Sequence, residues 1–259
     1  MENKIVLIRK PKRADVIVQR IPEIADNEVL IKVMANGICG TDVHIFEGSY
    51  MGQYPIVPGH EFSGIVEKAG KYVTRIKKGD RVAVEPNIAC DNCWYCLNNE
   101  QNFCDNWQAI GVTLPGGMAQ YVTVPEKAVF SIGSIPFSVG AFMEPLSCVL
   151  HGIEKLEIKP GQRILIIGAG PIGMLLLQIA QIKGSTEATV IDTNSKRAEF
   201  AEKFGATATS SSLKEVNGSA FDVVIDATGV PDVMGKSIHF ARKGGKVLLF
   251  GVPPQGKTY

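Results

Sequence analysis

A glycine pattern between an apolar segment and an apolar helical segment constrains the fold more strongly than any other feature of this sequence. Residues 163–167 (RILII) have the composition of a buried strand, and the spacing G-x-G-x-x-G follows directly in residues 168–173. Such glycines allow a tight turn and the close approach of a pyrophosphate to a helix N-terminus. The pattern predicts a dinucleotide-binding turn, with a glycine-rich turn that binds no nucleotide as the alternative. The residues predicted to contact the nucleotide there are Gly168, Gly170, Pro171, Ile172 and Gly173.

The C-terminal half continues as an alternation of apolar strands and helices. The predicted helices cover residues 171–183, 195–204 and 230–242, and the predicted strands cover residues 163–167, 189–191, 223–225 and 247–250. A further short strand is expected within the polar stretch 207–219, without an assigned position. This alternation predicts a doubly wound parallel sheet with crossover helices.

The end of the second strand carries a residue that bears on the choice of nucleotide. Asp192 is placed where a carboxylate can accept hydrogen bonds from the adenosine ribose. The same carboxylate would repel the additional phosphate of NADP, so the sequence favours NAD as the cofactor. Arg197 keeps NADP open, because an arginine can bind that phosphate. The other predicted cofactor-binding residues are Thr228, Gly251 and Val252.

The first part of the chain has the pattern of short antiparallel strands. Strands are predicted over residues 28–34, 63–67, 81–85 and 119–124, with turn residues between them. Several short strands at this spacing predict a small barrel-like antiparallel domain. The predicted domains are residues 1–150 and residues 151–259.

The composition is that of a globular chain and disfavours several classes of function. Apolar residues make up 45% and charged residues 20% of the 259 residues, which is near the average for globular proteins. No apolar run approaches the roughly 20 residues that cross a membrane. The 27 lysines and arginines against 26 acidic residues give no basic surplus for binding nucleic acid or a membrane surface. The N-terminus, MENKI, does not have the pattern of a signal peptide, so we expect a cytoplasmic protein.

Four of the six cysteines lie in one segment with the spacing of a zinc site. These four are Cys90, Cys93, Cys96 and Cys104. Disulfides are disfavoured, because a cytoplasmic chain keeps its thiols reduced. Four thiolates would close the coordination sphere of zinc, which predicts a structural site. A nucleic-acid-binding zinc ribbon is the alternative, but the flanking residues carry no basic charge.

A second, dispersed set of residues has the donor types of an open zinc site. Cys39, His60 and Glu61 offer a thiolate, an imidazole and a carboxylate. Three protein ligands leave one position for water or substrate, which is the arrangement of a catalytic site. An ordinary buried cysteine and histidine remain the alternative, because the two segments are far apart in the sequence.

In this order, the three sets of residues resemble those of the medium-chain zinc-dependent alcohol dehydrogenases. Residues 59–73 resemble the family signature and residues 90–104 share its cysteine spacing. Residues 141–147 and 168–173 are most similar to the sorbitol (polyol) dehydrogenase branch. The resemblance implies an N-terminal GroES-like β-barrel catalytic domain and a Rossmann domain. It also implies NAD-dependent oxidation of a secondary hydroxyl of a polyol or sugar alcohol to a ketone by hydride transfer.

The resemblance also assigns roles to residues of the first domain. It implies a catalytic zinc bound by Cys39, His60, Glu61 and Glu144, with Glu144 reaching the metal directly or through water, beside a structural zinc. Cys148 is an alternative to Glu144, and we interpret it as a buried structural thiol.

Two further residues would handle the substrate proton. The resemblance implies that Thr41 accepts the proton of the substrate hydroxyl and that His44 passes it to solvent through the cofactor ribose. Asp42 would orient His60. Ile45 stands where animal sorbitol dehydrogenases have a substrate-contacting tyrosine. The alternatives are therefore another polyol, a polyol phosphate, a simple secondary alcohol or L-threonine as substrate, or a non-catalytic zinc- and nucleotide-binding protein.

The resemblance also bears on the extent of the chain. Members of the family continue beyond the last predicted strand, so we expect the sequence to be a fragment or a short form with an incomplete Rossmann sheet. A homo-oligomer, dimeric or tetrameric, is expected for the full-length protein.

Overall fold

The computed structural model describes residues 2–216, 220–254 and 256. The chain forms two compact units, Met1–Glu144 and Pro145–Tyr259. The sequence prediction placed this boundary after residue 150, and one helix, Met143–Leu156, runs through both positions. No helix in the described ranges is long and apolar enough to cross a membrane.

The first unit consists mainly of short antiparallel strands. Its strands are β1 Glu2–Lys10, β2 Arg13–Arg20, β3 Glu28–Asn36, β4 Phe62–Ala69, β5 Arg81–Val84, β6 Asn87–Ile88, β7 Gln108–Ala109, β8 Tyr121–Pro125 and β9 Val129–Ser131. Its helices are α1 Gly40–Glu47, α2 Trp94–Leu97 and α3 Phe137–Ala141, and α4 Met143–Leu156 follows.

A five-stranded antiparallel sheet of order β8-β3-β4-β5-β9 forms the centre of this unit. Val29 and Ile31 of β3, Phe62 of β4 and Val82 of β5 are buried together in its core. Buried and partly buried residues alternate along β8, as the sequence pattern predicted, whereas β3, β4 and β5 each contain three consecutive buried residues. The end of β3 and the start of β4 are neighbours in this sheet, because Asn36 is paired with Phe62.

The second unit alternates strands and helices. Its strands are β10 Arg163–Ile167, β11 Glu187–Ile191, β12 Ala208–Ser210, β13 Phe221–Asp226 and β14 Ala241–Leu249. Its helices are α5 Pro171–Ile182, α6 Ser195–Glu202 and α7 Pro231–Ser237. All strands are parallel, in the order β12-β11-β10-β13-β14.

Both faces of this parallel sheet are covered. Ile164 and Ile166 of β10 pack with Leu176 of α5 in one core, whereas Leu165 packs on the other face in a core that includes Val233 of α7. Burial on both faces explains why residues 164–167 of the strand are all apolar. The predicted doubly wound sheet is confirmed, and its strand order is that of the Rossmann fold.

The predicted helix over residues 230–242 is wrong in its last third. Helix α7 ends at Ser237, a single 3-10 turn covers Ile238–Phe240, and β14 begins at Ala241. The sheet edge overrides the helical pattern, because Ala241 pairs with β13 and the register then shifts before Lys246. The short strand expected within residues 207–219 is β12, and residues 217–219 of that stretch lie outside the described residues.

Candidate metal centres and nucleotide cavity

The four cysteines of the first unit converge around α2. Cys93 precedes this helix and Cys96 lies within it, while Cys90 and Cys104 approach from the flanking loops. The Sγ atoms of Cys93 and Cys96 are 3.4 Å apart, those of Cys90 and Cys96 are 3.9 Å apart, and all four lie within 4.8 Å of one another. A tetrahedron with metal–sulfur bonds of about 2.3 Å has sulfur–sulfur edges of about 3.8 Å. The four sulfurs therefore have the spacing of a zinc site.

The protonation of these thiols also fits a bound cation. A backbone hydrogen bond from Asn92 is the main cause that lowers the pKa of Cys90 to about 6. Burial, with the neighbouring thiols of Cys93 and Cys104, raises the pKa of Cys96 to about 12. One thiolate opposes the ionisation of the next, so four thiolates in this space need a positive ion among them.

The second donor set lies where α1 and β4 begin. Cys39 is the residue before α1, and His60 and Glu61 directly precede β4. One donor atom from each of these side chains lies within 4.8 Å of the other two. A thiol, an imidazole and a carboxylate are donor types that zinc accepts, and three such ligands leave a coordination position open.

A buried carboxylate joins the two segments that carry these donors. Asp42 Oδ2 accepts a hydrogen bond from the Cys39 backbone N–H at 2.8 Å, and Oδ1 accepts one from the Gly59 N–H at 3.1 Å. Asp42 Oδ1 also lies 3.6 Å from His60 Nδ1, which is buried and has no hydrogen-bond partner among the described residues. Burial alone would lower the pKa of His60, but Asp42 and Cys39 outweigh it and raise this pKa to about 10.

The position of Glu61 depends on a glycine that sequence reasoning missed. The Gly37 backbone N–H donates to the Glu61 carbonyl oxygen at 2.7 Å. A Cβ atom at Gly37 would lie 2.1 Å from Glu61 Oε2, so a larger residue would displace this carboxylate from its position. Burial raises the pKa of Glu61, with the charge of His60 opposing this effect. No local sequence pattern marks Gly37, because the contact joins the end of β3 to the start of β4.

Thr41, His44 and Glu144, the other predicted residues of the first unit, belong to neither donor set. Thr41 and His44 lie on α1 and are partly exposed, and His44 Nδ1 is 3.2 Å from Ser49 Oγ. Glu144 is the second residue of α4 and is partly buried. Among the described residues, its carboxylate is not within 4.8 Å of all three donors of the open set.

One sequence interpretation near this site is wrong. Cys148 is exposed rather than buried, because it lies outside the apolar face of α4 that carries Val149 and Ile153. Ile45, compared above with a substrate-contacting tyrosine, is fully buried in a core with Ile8 and Ile56. Its side chain therefore packs within the first unit.

A cavity of about 850 Å³ opens at the carboxyl ends of the parallel strands in the second unit. The predicted residues that line it are Gly168, Gly170, Asp192, Arg197 and Thr228. The remaining ones, Pro171, Ile172, Gly173, Gly251 and Val252, are not among its lining residues. This edge of a Rossmann sheet is where dinucleotides bind.

Two glycines of residues 168–173, Gly173 and Gly170, have different structural roles. A Cβ atom at Gly173 would lie 1.8 Å from the Gly168 carbonyl oxygen, so Gly173 allows α5 to pack against the turn. A Cβ atom at Gly170 would meet no atom within 4 Å. Gly170 directly precedes α5 and lines the cavity, so this space is available to a pyrophosphate at the helix N-terminus.

The carboxylate of Asp192 supports the same turn. Its Oδ2 accepts a hydrogen bond from the Ala169 N–H at 2.9 Å, and its Oδ1 accepts one from the Asn194 N–H at 2.8 Å. Each oxygen retains a further lone pair for a ribose hydroxyl. Arg197 and Lys214 also line the cavity, so both charge signs are present at its wall.

Comparison with known proteins agrees with this architecture. Residues 25–134 match the family described as alcohol dehydrogenase GroES-like domain, and residues 171–259 match the family described as zinc-binding dehydrogenase. The chain therefore belongs to the zinc-binding alcohol dehydrogenases, a family of oxidoreductases, which confirms the resemblance predicted from the sequence.

Individual relatives cover most of the chain. D-arabinitol dehydrogenase 1 of Uromyces fabae is 36% identical, over 94% of this chain and 73% of its own length. L-threonine 3-dehydrogenase of Bacillus velezensis is 36% identical, over 92% of this chain and 73% of its own length. A crystal structure described as a zinc-binding dehydrogenase from Sinorhizobium meliloti 1021 bound to NADP has 38% identity and a TM-score of 0.95, over 99% of this chain and 79% of its own.

Proposed function

We propose that the protein is a zinc-dependent NAD oxidoreductase that oxidises a secondary hydroxyl of a polyol or sugar alcohol to a ketone. The observation that carries this proposal is the open set of Cys39, His60 and Glu61 in the first unit, which differs from the closed four-sulfur set. A closed set stabilises a fold, whereas a site with an open position can bind a substrate oxygen.

Some residues of the first unit would bind the metal, and others would transfer the substrate proton. Cys39, His60 and Glu61 would hold the catalytic zinc, with Glu144 reaching the metal directly or through water, and Asp42 would hold His60 in place. Zinc, when bound, acts as a Lewis acid that lowers the pKa of an alcohol. The Thr41 hydroxyl would accept the proton that the substrate loses, and His44 would pass it to solvent.

The second unit would bind and orient the nicotinamide nucleotide. Gly170 would give the pyrophosphate access to the N-terminus of α5, and Asp192 would accept hydrogen bonds from the adenosine ribose. NAD, when bound, accepts the hydride. We propose NAD over NADP because the Asp192 carboxylate would oppose an additional phosphate at the ribose.

The substrate class rests on the relatives. The similarity to D-arabinitol dehydrogenase 1 supports a polyol. The second candidate is L-threonine, because an L-threonine 3-dehydrogenase matches with the same identity.

The clustered thiols suit the reducing cytoplasm, where we place the protein. The homo-oligomer implied by the resemblance remains a prediction.

Reduction of NAD in the presence of individual alcohols tests the proposal. The panel contains D-arabinitol, sorbitol, xylitol, L-threonine and a simple secondary alcohol, each with and without a zinc chelator. We expect chelator-sensitive turnover that is fastest with a polyol. Turnover that is fastest with L-threonine would replace the polyol by the second candidate, and turnover that a chelator leaves unchanged would contradict the zinc mechanism.

A further inference from the structure

A buried carboxylate of the second unit has no role in the chemistry described so far. Asp226 is the last residue of β13 and is fully buried. No basic side chain in the described ranges forms an ion pair with it. A buried carboxylate is costly unless hydrogen bonds compensate it, so the donors around Asp226 indicate what it holds.

These donors all come from the turn that follows the strand. The Thr228 hydroxyl donates to Asp226 Oδ1 at 2.6 Å, and the Gly229 N–H donates to Oδ2 at 3.1 Å. The Thr228 hydroxyl in turn accepts a hydrogen bond from the Val230 N–H at 3.1 Å, directly before α7 begins. One carboxylate thereby fixes the whole turn and the start of the next helix.

The backbone of the same residue holds the neighbouring strand. The carbonyl oxygen of Asp226 accepts hydrogen bonds from the N–H groups of Phe250 and Gly251, both at 2.9 Å. A Cβ atom at Gly251 would lie 2.0 Å from the Gly229 nitrogen, so the turn and the end of β14 pack backbone to backbone. This explains a glycine at residue 251 that does not line the cavity.

The turn held by Asp226 forms part of the cavity wall. Thr228 and Val230 line the cavity. The Thr228 Cγ2 atom is the nearest atom to the position that a Cβ at Gly168 would occupy, at 3.0 Å. The only hydroxyl proton of Thr228 is used toward Asp226, so this side chain presents its methyl group to the glycine turn.

We propose that Asp226 is a positioning residue for nucleotide binding, which sets the distance between the 228–230 turn and the glycine turn at Gly168. This inference rests on the proposed function, because it assumes that the cavity takes a dinucleotide. Asparagine at this position would have the same size but only one acceptor oxygen. Either amide orientation then turns an NH₂ group toward a backbone donor, the Thr228 N–H or the Gly229 N–H, and that N–H loses its acceptor.

The test measures the dissociation constant of NADH and of ADP-ribose by calorimetry, together with the melting temperature, on the full chain. Asp226→Asn and Thr228→Val are compared with Asp222→Asn. Asp222 is the matched control, because it lies near the start of the same strand and accepts hydrogen bonds from the Arg163 N–H at 2.9 Å and from Arg242 Nε at 2.6 Å. Its substitution removes a comparable anchor far from the turn.

We expect about tenfold weaker nucleotide binding for Asp226→Asn and Thr228→Val, and unchanged binding for Asp222→Asn even if its melting temperature falls. If Asp226→Asn does not fold, Thr228→Val carries the test. Binding that is equal in all variants, or that falls equally in Asp222→Asn, would overturn the role of Asp226. Absence of nucleotide binding in the unaltered chain would instead contradict the proposed function.

Discussion

The Asp42 carboxylate lies 3.6 Å from Nδ1 of His60, and both side chains are buried in the first unit. The same carboxylate accepts hydrogen bonds from the backbone on each side of the open donor set. It therefore fixes the spacing of Cys39 and His60 through contacts that need no metal. A preformed site of this kind reduces the cost of ordering its ligands.

Asp42→Asn should weaken zinc binding at the open site by about 10- to 100-fold, because the imidazole loses the group that orients it. Titration against a chromophoric chelator measures this affinity. Asp15→Asn is the control, since Asp15 pairs with Arg9 at the surface. An Asp42→Asn chain with unchanged zinc affinity would show that the carboxylate has only a structural role.

Substitution of two cysteines at equivalent helix positions should have different effects on stability and activity. Cys39 is the N-cap residue of α1 and Cys93 is the N-cap residue of α2. Serine suits an N-cap, so both substitutions leave the helices intact and remove one sulfur. Cys93→Ser should lower the melting temperature by roughly 5 °C or more, because it opens the closed site. Cys39→Ser should remove one zinc ion per chain and abolish turnover, with little change in melting.

Elemental analysis and thermal unfolding of both variants check this contrast. Near-normal activity of Cys39→Ser would contradict the catalytic site. An unchanged zinc content in Cys93→Ser would contradict the structural site.

Two alanine substitutions in the glycine turn should affect different properties, one the stability of the chain and the other nucleotide binding. Gly173→Ala should lower the free energy of unfolding by about 2 kcal/mol, because its Cβ would overlap the Gly168 carbonyl oxygen. Gly170→Ala should change it by less than about 1 kcal/mol, because the Cβ enters open space. That Cβ would nevertheless obstruct the pyrophosphate and weaken NADH binding. Denaturant unfolding and calorimetry separate the two effects, and tight NADH binding by Gly170→Ala would contradict the assigned nucleotide position.

Helices and strands with a regular apolar pattern could be predicted from the sequence, because their apolar residues mark the faces that are buried. Residues 164–167 of β10 are all apolar since both faces of the sheet are covered, and β8 of the first unit alternates between buried and partly buried residues. Helix α7 was predicted too long, because pairing of Ala241 with β13 is a tertiary contact that no local pattern carries.

The same limit applies to the candidate site. The four-cysteine set and the glycine turn have recognisable spacings in the sequence, whereas the open set was predicted from its donor types and from the family resemblance. Gly37 has none, since it acts through a contact with Glu61, which is distant along the chain. Asp226 acts on the turn that directly follows it, but the sequence does not show that its carboxylate is buried. The N-terminal hairpin of β1 and β2 was also missed. Val16 and Val18 of β2 are exposed.

Asp192 should determine the choice between the two nucleotides. Asp192→Ala should weaken NAD binding by about tenfold and reduce discrimination against NADP, because it removes both the ribose acceptor and the repulsion of a phosphate. Arg197→Ala provides the contrast, since it should weaken only the residual binding of NADP. Dissociation constants for both nucleotides check this. An unaltered chain that prefers NADP would contradict the NAD assignment and assign the choice to Arg197.

Hydride transfer itself tests the central claim most directly. The zinc-loaded chain is incubated with D-xylulose and NADH that carries deuterium at the transferable position, and the polyol formed is analysed by mass spectrometry. We predict deuterium on the carbinol carbon of the polyol with the unaltered chain, and none with Cys39→Ser, which retains its nucleotide cavity. A zinc-loaded chain that binds NADH but transfers no deuterium to any ketose or ketone offered would contradict the account.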